Sequence, residues 1–219
     1  MTHIHYPAST FTMPRMRSQD WVVNPARFLF GLSRYKFVAQ MMRDRFTLEI
    51  GCGDGFYTHI VHRTTHVMHA IDTDADLIND AQTYAAHHQA RYEYPIHFRQ
   101  HDILTQPYPG VFDGIYSLDV LEHIPQEQED LFITNSVYGL SKDGIAIFGM
   151  PSKESQPYAS ELSKQGHVNC KTEHELRKLM QRHFGIVLIF GMNDEVLHTG
   201  FGPMCHYRFA VCANKKGKS

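Results

Sequence analysis

The chain has 219 residues, with 21 lysines and arginines against 23 aspartates and glutamates, so its formal net charge is −2 and no global basic field exists to hold a polyanion. Its hydrophobic content of 42% is that of a globular protein, its longest strongly apolar stretch (186–190) is far too short to span a membrane, and its four cysteines form no CxxC pair. These values exclude membrane, fibrous, disordered and disulfide-scaffold proteins, disfavour a nucleic-acid binder and predict a cytoplasmic location.

Apolar runs alternate with helical patterns from residue 44 onward, which is typical of βαβ units with a parallel sheet. Before them we predict a helical arm, 1–43, with Pro25 at a helix start. The predicted strands are 46–50, 67–72, 96–100, 112–118, 145–150, 186–190 and 206–212. The predicted helices are 55–63, 74–89, 125–138 and one that begins at Thr172, with Asp74 and Thr172 as N-caps.

A long segment rich in serine and proline, residues 151–171, interrupts the alternation. Long irregular connections in compact domains are usually functional or disordered. The arm and this insertion would both lie where a substrate cover is needed; a solvated surface loop is the alternative. We therefore predict a single domain made of the arm (1–43), a ligand-binding core (44–150), the insertion (151–171) and a C-terminal helix with the last two strands (172–219).

A glycine-rich turn, Glu49-Ile-Gly51-Cys52-Gly53-Asp-Gly55, follows the first predicted strand and opens the first helix of the core. Turns at this edge of an open α/β sheet bind ligands, and glycines let a ligand approach the backbone closely. A dinucleotide site requires G-x-G-x-x-G to seat a pyrophosphate, whereas this turn reads G-x-G-x-G behind a glutamate that would repel a pyrophosphate. The turn therefore favours a cationic ligand.

Acidic residues end the next two predicted strands. Asp72, followed by Thr73, lies about 20 residues beyond the glycines, where a carboxylate can accept both hydroxyls of a ribose. Asp102, followed by Ile103, is placed to accept a hydrogen bond from an adenine amino group. Each acid could instead cap a helix or face solvent, but their order and spacing together favour a cofactor that contains adenosine.

These segments together resemble the class I S-adenosylmethionine-dependent methyltransferases. LEIGCGDG is similar to their first motif, AIDTD to the second, QHDI to the third and FDGIYSLDVLEHIP to the fourth. The resemblance implies a doubly wound, Rossmann-like α/β fold with a seven-stranded, mostly parallel sheet whose last strand runs antiparallel between its neighbours. It also implies that the cofactor is S-adenosylmethionine.

The resemblance further implies which residues hold that cofactor. The glycine-rich turn would line the methionine part, Asp72 the ribose, and Asp102 with Ile103 the adenine. The expected cofactor contacts are Glu49, Gly51, Cys52, Gly53, Asp72, Thr73, Asp102, Ile103, Ser117 and Leu118.

Histidines are the candidate catalytic bases. The enzyme must align a nucleophile with the methyl carbon and exclude water, and a hydroxyl nucleophile must lose its proton to a base. His123, directly after the fourth predicted strand, is the leading candidate, and His167, at the end of the insertion, is the second. The alternative is that Glu122 and His123 only orient the loop and cap the next helix. Tyr35 and His198 are candidate substrate contacts, or else residues of a packing stripe and of an exposed hairpin.

Asp119, Glu122, His123 and His167 form an alternative, metal-binding set. Carboxylates with imidazoles suit Mg²⁺ or Mn²⁺, and such an ion could lower the pKa of a substrate oxygen. The set resembles that of metal-dependent family members, the ubiquinone-biosynthesis O-methyltransferases and the small-RNA terminal 2′-O-methyltransferases, which carry Glu-x-x-Glu-His. In this chain the shorter Asp119 stands in the first place.

The sequence therefore predicts a methyltransferase that acts on a small polar acceptor, with oxygen favoured over nitrogen. Two other classes stay open at this point. One is a non-catalytic, cofactor-binding partner protein, and the other is a nicotinamide-dependent oxidoreductase, against which the glycine spacing counts. The 16 histidines do not distinguish these classes, because most of them fall where a structural or solvated role suffices.

Overall fold

The structure of the protein, a computed structural model, describes residues 12–88 and 94–217. The first eleven residues of the predicted arm lie outside the described part of the chain. Within the described ranges, no helix combines the length and the apolar character needed to cross a membrane.

A mixed sheet lies at the centre of the fold. Its strands are β1 (Phe46–Ile50), β2 (Val67–Asp72), β3 (Ile96–Gln100), β4 (Phe112–Leu118), β5 (Leu140–Pro151), β6 (Phe184–Asn193), β7 (Val196–His198) and β8 (Tyr207–Lys215). They lie side by side in the order β3-β2-β1-β4-β5-β8-β6-β7. The first five pair in parallel, and β8 runs antiparallel to both of its neighbours, β5 and β6.

This topology confirms the doubly wound, mostly parallel sheet and the antiparallel strand between its neighbours. The predicted number of seven strands is wrong, because the sheet has eight. The additional strand, β7, has three residues and pairs with the end of β6 as a hairpin. A Val-Leu-His segment is too short to show the alternation that identifies strands in a sequence.

Seven α-helices are described: α1 (Arg15–Val23), α2 (Pro25–Met41), α3 (Thr58–His62), α4 (Ala75–His88), α5 (Glu129–Ser136), α6 (Glu161–Gly166) and α7 (Glu173–His183). Pro25 begins α2 as predicted, and Asp74 caps α4 by accepting the backbone N–H groups of Asp76 and Leu77. The predicted capping box of Thr172 and Glu175 is present at the start of α7. The predicted helix 125–138 is instead a 3₁₀ turn, Gln126–Gln128, followed by α5.

Helices cover both faces of the sheet, so its central strands are buried on both sides. Ile115 and Tyr116, neighbours on β4, point to opposite faces and join different hydrophobic clusters. Ile115 packs with Phe132 of α5 and with α7, whereas Tyr116 packs with Tyr35 of α2 and with α3. This arrangement leaves the carboxyl ends of β1, β2 and β4 together at one edge, where open α/β sheets bind ligands.

The insertion, residues 151–171, is not wholly irregular as predicted from its composition. It contains a 3₁₀ helix, Lys153–Tyr158, and α6. Its two ends are joined, because the backbone N–H of Lys153 donates to the carbonyl of Lys171 at 3.0 Å. The buried ammonium of Lys171 also lies 2.7 Å from the carboxylate of Glu129, at the start of α5. The insertion is therefore anchored to the body of the fold at its C-terminal end.

Candidate active site

The glycine-rich turn joins β1 to the first turns of the helical segment that contains α3. Gly51, Gly53 and Gly55 have φ angles of +83°, +54° and +71°, a region that side chains with a Cβ rarely adopt. A Cβ on Gly51 would also collide with the side chain of Val120, in the connection that follows β4. The turn therefore requires glycine both for its backbone conformation and for its close packing against that connection.

Asp72, at the end of β2, supports the turn from the side. Its Oδ2 accepts the backbone N–H of Gly53 at 2.8 Å, and its Oδ1 accepts that of Asp74 at 3.0 Å. A carboxylate oxygen can accept two hydrogen bonds, so each oxygen of Asp72 keeps capacity for a ligand hydroxyl.

Glu49, at the carboxyl end of β1, is enclosed beneath the turn. Its Oε1 accepts a hydrogen bond from the Tyr35 hydroxyl at 2.8 Å, and its Oε2 accepts one from the Thr58 hydroxyl at 2.6 Å. Burial raises the pKa of Glu49 to about 7, although these hydroxyl donors favour the ionised form. Tyr35, predicted as a substrate contact, is thus a buried partner of Glu49.

The first helix of the arm lies directly on the glycine-rich turn. The backbone N–H of Arg17 donates to Asp54 of the turn at 3.2 Å, and its guanidinium lies 4.7 Å from the centre of the Tyr57 ring. A Cβ on Gly53 would come within 3.2 Å of the Met16 sulfur. Sequence reasoning named neither Met16 nor Arg17, because nothing local in the sequence links α1 to a turn nearly forty residues away.

The remaining expected cofactor contacts line the same edge of the sheet. The Ser117 hydroxyl donates to the Ile50 carbonyl at 2.9 Å, and the side chains of Ser117, Leu118 and Ile103 are buried. Asp102 accepts the backbone N–H of Leu104 at 2.8 Å. Cys52 is also buried, which raises the pKa of its thiol well above the usual value, whereas Thr73 is exposed. Of these remaining contacts, Asp102 and Thr73 face solvent, whereas the others are buried beneath them.

His123 and His167, named separately from the sequence, lie side by side in the structure. Their ring centres are 5.3 Å apart. His123 Nδ1 lies 2.9 Å from the carbonyl oxygen of Gly166, and His167 Nδ1 lies 2.8 Å from the side-chain oxygen of Gln156. Both partners are acceptors, so each Nδ1 donates its proton and each Nε2 keeps a lone pair.

Glu122 completes a cluster with the two imidazoles. Its side chain is 1% exposed, and its Oε1 lies 4.0 Å from His123 Nε2. Burial, with the neighbouring charge of Asp119, raises the pKa of Glu122 well above its usual value. One potential ligand atom from each of Glu122, His123 and His167 lies within 4.8 Å of the others. The cluster could therefore share one cation or one substrate oxygen.

Asp119 does not belong to the cluster that these three residues form. Its backbone is left-handed, with φ +56°. Both of its carboxylate oxygens accept hydrogen bonds from Arg34 Nη1, at 3.0 and 2.9 Å. The structure thus pairs the Asp119 carboxylate with the N-terminal arm, while its charge still acts on Glu122 and His167.

His198 lies on β7, at the outer edge of the sheet. Its Nδ1 accepts the backbone N–H of Gly200 at 2.9 Å, and its Nε2 lies 3.3 Å from the Asn193 side chain and 3.8 Å from the Cys205 sulfur. These partners all lie within residues 193–205, from the end of β6 to the segment that precedes β8. The predicted role of His198 in substrate contact stays a prediction.

Comparison with known proteins shows which proteins this architecture is similar to. Residues 47–144 match the family model described as a methyltransferase domain. The ubiquinone biosynthesis O-methyltransferase of Xanthomonas campestris pv. campestris (strain B100) is 27% identical over 101 residues, which cover 46% of this chain and 40% of the relative. The enzyme of that name from Coxiella burnetii (strain RSA 493) is 26% identical over 148 residues, which cover 64% of this chain and 61% of the relative. The chain thus matches less than two thirds of the length of either relative.

Among solved structures, the N-methyltransferase NodS from Bradyrhizobium japonicum WM9, in complex with S-adenosyl-L-homocysteine, superposes with a TM-score of 0.66. The two are 20% identical, and the superposition covers 89% of this chain and 90% of NodS. The fold is therefore that of the class I S-adenosylmethionine-dependent methyltransferases. Residues 47–144 thus resemble a methyltransferase domain, within a fold that is shared with a methyltransferase whose structure contains S-adenosyl-L-homocysteine.

Proposed function

We propose that this protein transfers the methyl group of S-adenosylmethionine to a hydroxyl oxygen of a small polar acceptor. The observation that carries the proposal is the His123–His167 pair, with two free Nε2 lone pairs at the edge of the sheet that holds the glycine-rich turn. Transfer to oxygen needs a base at this place. The names of the O-methyltransferase relatives support the same choice.

The cofactor would be held along the carboxyl edge of β1 to β4. Bound there, its sulfonium supplies an activated methyl group. The ribose hydroxyls would donate to Asp72, whose oxygens keep acceptor capacity. Asp102 and Ile103 would hold the adenine, and the glycine turn would approach the methionine part. The full set proposed is Glu49, Gly51, Cys52, Gly53, Asp72, Thr73, Asp102, Ile103, Ser117 and Leu118.

His123 would act as the base. Its Nδ1–H bond to the Gly166 carbonyl fixes the tautomer, so Nε2 is free to take the proton of the acceptor hydroxyl. The bound cofactor would supply the methyl group to the acceptor oxygen and would leave as a neutral thioether, while His123 Nε2 would hold the proton of the acceptor. The positive charge that develops on His123 would in turn favour ionisation of Glu122, whose Oε1 lies 4.0 Å from Nε2. His167 Nε2 would accept a second hydroxyl of the acceptor.

Metal-dependent O-methylation is the second candidate, supported by the spacing of Glu122, His123 and His167. The donor set fits a divalent ion, because both imidazoles donate Nδ1–H to oxygens, as metal-binding histidines do, and Glu122 Oε2 is buried without a hydrogen-bond partner among the described residues. Two imidazoles and one carboxylate suit Mn²⁺ better than Mg²⁺. Such an ion would supply a Lewis acid for the acceptor oxygen; Asp119, paired with Arg34, would not bind it.

Release of S-adenosylhomocysteine in the presence of a panel of catechols, sugars and phosphorylated metabolites tests the proposal. We expect His123→Gln to lower turnover by about 10²-fold or more and to leave S-adenosylhomocysteine affinity within threefold. Asp72→Asn should leave turnover at saturating cofactor nearly unchanged and should weaken cofactor binding at least tenfold. The exposed His174 on α7 provides the matched control, His174→Gln, which should leave both quantities unchanged.

The same assay distinguishes the alternatives. Activity that survives chelation supports His123 as the base, whereas activity that is lost with a chelator and restored by Mn²⁺ supports the metal. Cofactor binding without product release for any acceptor would instead favour a non-catalytic, cofactor-binding protein. Tight binding of NAD with none of S-adenosylhomocysteine would contradict the proposal altogether.

A further inference from the structure

An ion pair ties the N-terminal arm to the connection that follows β4. Arg34 of α2 and Asp119 are 85 residues apart in the chain, and one Arg34 nitrogen donates to both carboxylate oxygens. The guanidinium carbon also lies 3.7 Å from the centre of the Tyr207 ring, which is fully buried at the start of β8. Arg34 is thus held from two sides, by charge and by an aromatic face.

Asp119 lies at the start of the segment that contains Glu122 and His123, so its pairing with Arg34 affects the position of that segment. The left-handed backbone of Asp119 turns the chain out of β4, and its N–H donates to the Gly149 carbonyl at 3.0 Å. The next residues are Val120, which packs against Gly51, and then Glu122 and His123. A change at Asp119 would therefore displace the segment that follows β4, which carries the proposed base.

The same helix reaches both halves of the site with neighbouring residues. Arg34 binds Asp119 on the acceptor side, and Tyr35 donates to Glu49 under the cofactor-side turn. The helix thus binds near the ends of both β4 and β1 through adjacent side chains. Two such contacts restrain the distance between the strand ends more than either contact alone. In methyl transfer that separation matters, because the reaction requires the nucleophile in line with the methyl carbon at near-contact distance.

We propose that Arg34 and Asp119 are a positioning pair, which sets the place of His123 relative to the cofactor while neither residue touches the reacting atoms. This inference rests on the proposed function. It assigns Asp119 to the arm contact and not to a metal, and it makes the N-terminal arm part of the catalytic geometry as well as a cover.

Two variants remove the pair with little change of shape. Arg34→Met keeps an unbranched side chain over Tyr207 but removes the charge. Asp119→Asn removes the opposite charge and retains a residue that tolerates the left-handed backbone. Arg43→Met, at an exposed arginine just beyond the end of α2, is the matched control. For each protein we would measure kcat, the acceptor KM, the dissociation constant of S-adenosylhomocysteine and the thermal midpoint.

We expect kcat to fall at least tenfold in Arg34→Met and in Asp119→Asn, with S-adenosylhomocysteine affinity within threefold and the control unchanged. The double variant should lose no more than either single one, because both remove the same interaction. Arg34→Lys should recover part of the activity through its remaining charge. A kcat within threefold of the parent in both single variants, or a loss of cofactor affinity as large as the loss of kcat, would overturn the proposal.

Amide hydrogen exchange gives a readout that needs no acceptor. In the complex with S-adenosylhomocysteine, Arg34→Met and Asp119→Asn should speed exchange in residues 119–124 at least fivefold and leave β1 and β2 unchanged. Unchanged exchange in residues 119–124 would refute the positioning role even if no acceptor is found. Faster exchange in a protein that releases no product would refute the proposed function and leave the role of the pair intact.

Discussion

At the scale of the single residue, Glu49 is a carboxyl group enclosed between the sheet and the N-terminal arm. Burial raises its pKa to about 7, from 4.5 for an exposed glutamate. The folded chain therefore holds a proton on Glu49 in a pH range where the unfolded chain has lost it. The contribution of this group to stability is fully present below pH 4.5 and is lost as the pH rises toward 7.

Glu49→Gln keeps the shape of the side chain and removes this titration. In the absence of cofactor, the free energy of unfolding of the variant relative to the parent should increase as the pH rises from about 4.5 to about 7, by up to about 3 kcal/mol. Urea unfolding at a series of pH values measures the difference. The exposed Glu127 supplies the control, Glu127→Gln, whose difference from the parent should not depend on pH. A constant difference for Glu49→Gln would show that its pKa is not raised.

At the scale of the element, the insertion is held by a buried charge at its C-terminal end. Glu129 of α5 accepts from Lys171, Asn169 and Arg182, and the carboxylate and the Lys171 ammonium are both buried. Removing one partner of a buried pair leaves the other charge without its full compensation in a poorly solvated place. The position of the insertion should therefore depend on Lys171. The position of His167, which lies on the insertion, should depend on it as well.

Lys171→Met should lower the free energy of unfolding by about 2 kcal/mol, less than for an isolated buried pair because Arg182 and Asn169 still bind Glu129. Denaturant unfolding at pH 7 measures this loss. Lys164→Met, which breaks an exposed pair with Glu161 on the same insertion, should cost less than about 0.5 kcal/mol. Equal effects of the two substitutions would mean that the buried pair does not anchor the insertion.

The elements that the sequence predicted best are those with a local signal. The parallel core followed from apolar runs that alternate with helical patterns, and the caps at Asp74 and Thr172 followed from one-turn patterns. The strand β7 was missed because three residues carry no period, and the helices of the insertion were missed because its serine- and proline-rich composition resembles that of a loop. Propensity is a weak guide where anchors such as Lys171 come from distant contacts.

The sequence likewise predicts only those parts of the candidate site that have a local signal. His123 and His167 were recognised from their places after β4 and before α7, and the structure brings them together. Asp119 was grouped with them by proximity in the sequence, but a left-handed backbone directs it to Arg34, 85 residues away. The contact of Met16 with the turn likewise has no local signal. Contacts between distant segments decide which neighbours in sequence become neighbours at the site.

At the scale of the whole molecule, the region that matches the methyltransferase family, residues 47–144, does not include the arm or the insertion, which lie beside the proposed acceptor site. The methyltransferase model ends at residue 144, before the insertion and His167. The arm and the insertion meet the core through Arg34–Asp119 and through the bond from His123 to the Gly166 carbonyl. If the proposed function holds, acceptor specificity is expected to reside in these two segments, and the core would supply the cofactor site.

Buried histidines and the buried Glu49 act in opposite senses on the pH dependence of stability. Burial lowers the pKa of His62, His69 and His206, so the unfolded chain binds more protons than the folded chain below about pH 6.5, and these groups lose stability as the pH falls. Glu49 acts in the opposite sense over an overlapping range. Glu49→Gln should therefore make the loss of stability on acidification steeper than in the parent, because the opposing contribution of Glu49 is removed.

In the Glu49→Gln background, adding His69→Gln should make the slope of stability below about pH 6.5 shallower, because one buried imidazole no longer has to become charged on unfolding. Adding His174→Gln, at an exposed histidine, should leave the slope as it is. Unfolding free energies from urea titrations at about five pH values suffice to compare the three proteins. If the His69 and His174 substitutions changed the slope equally, burial would not be the cause of the acid sensitivity, and the loss of one histidine from the chain would explain the change instead.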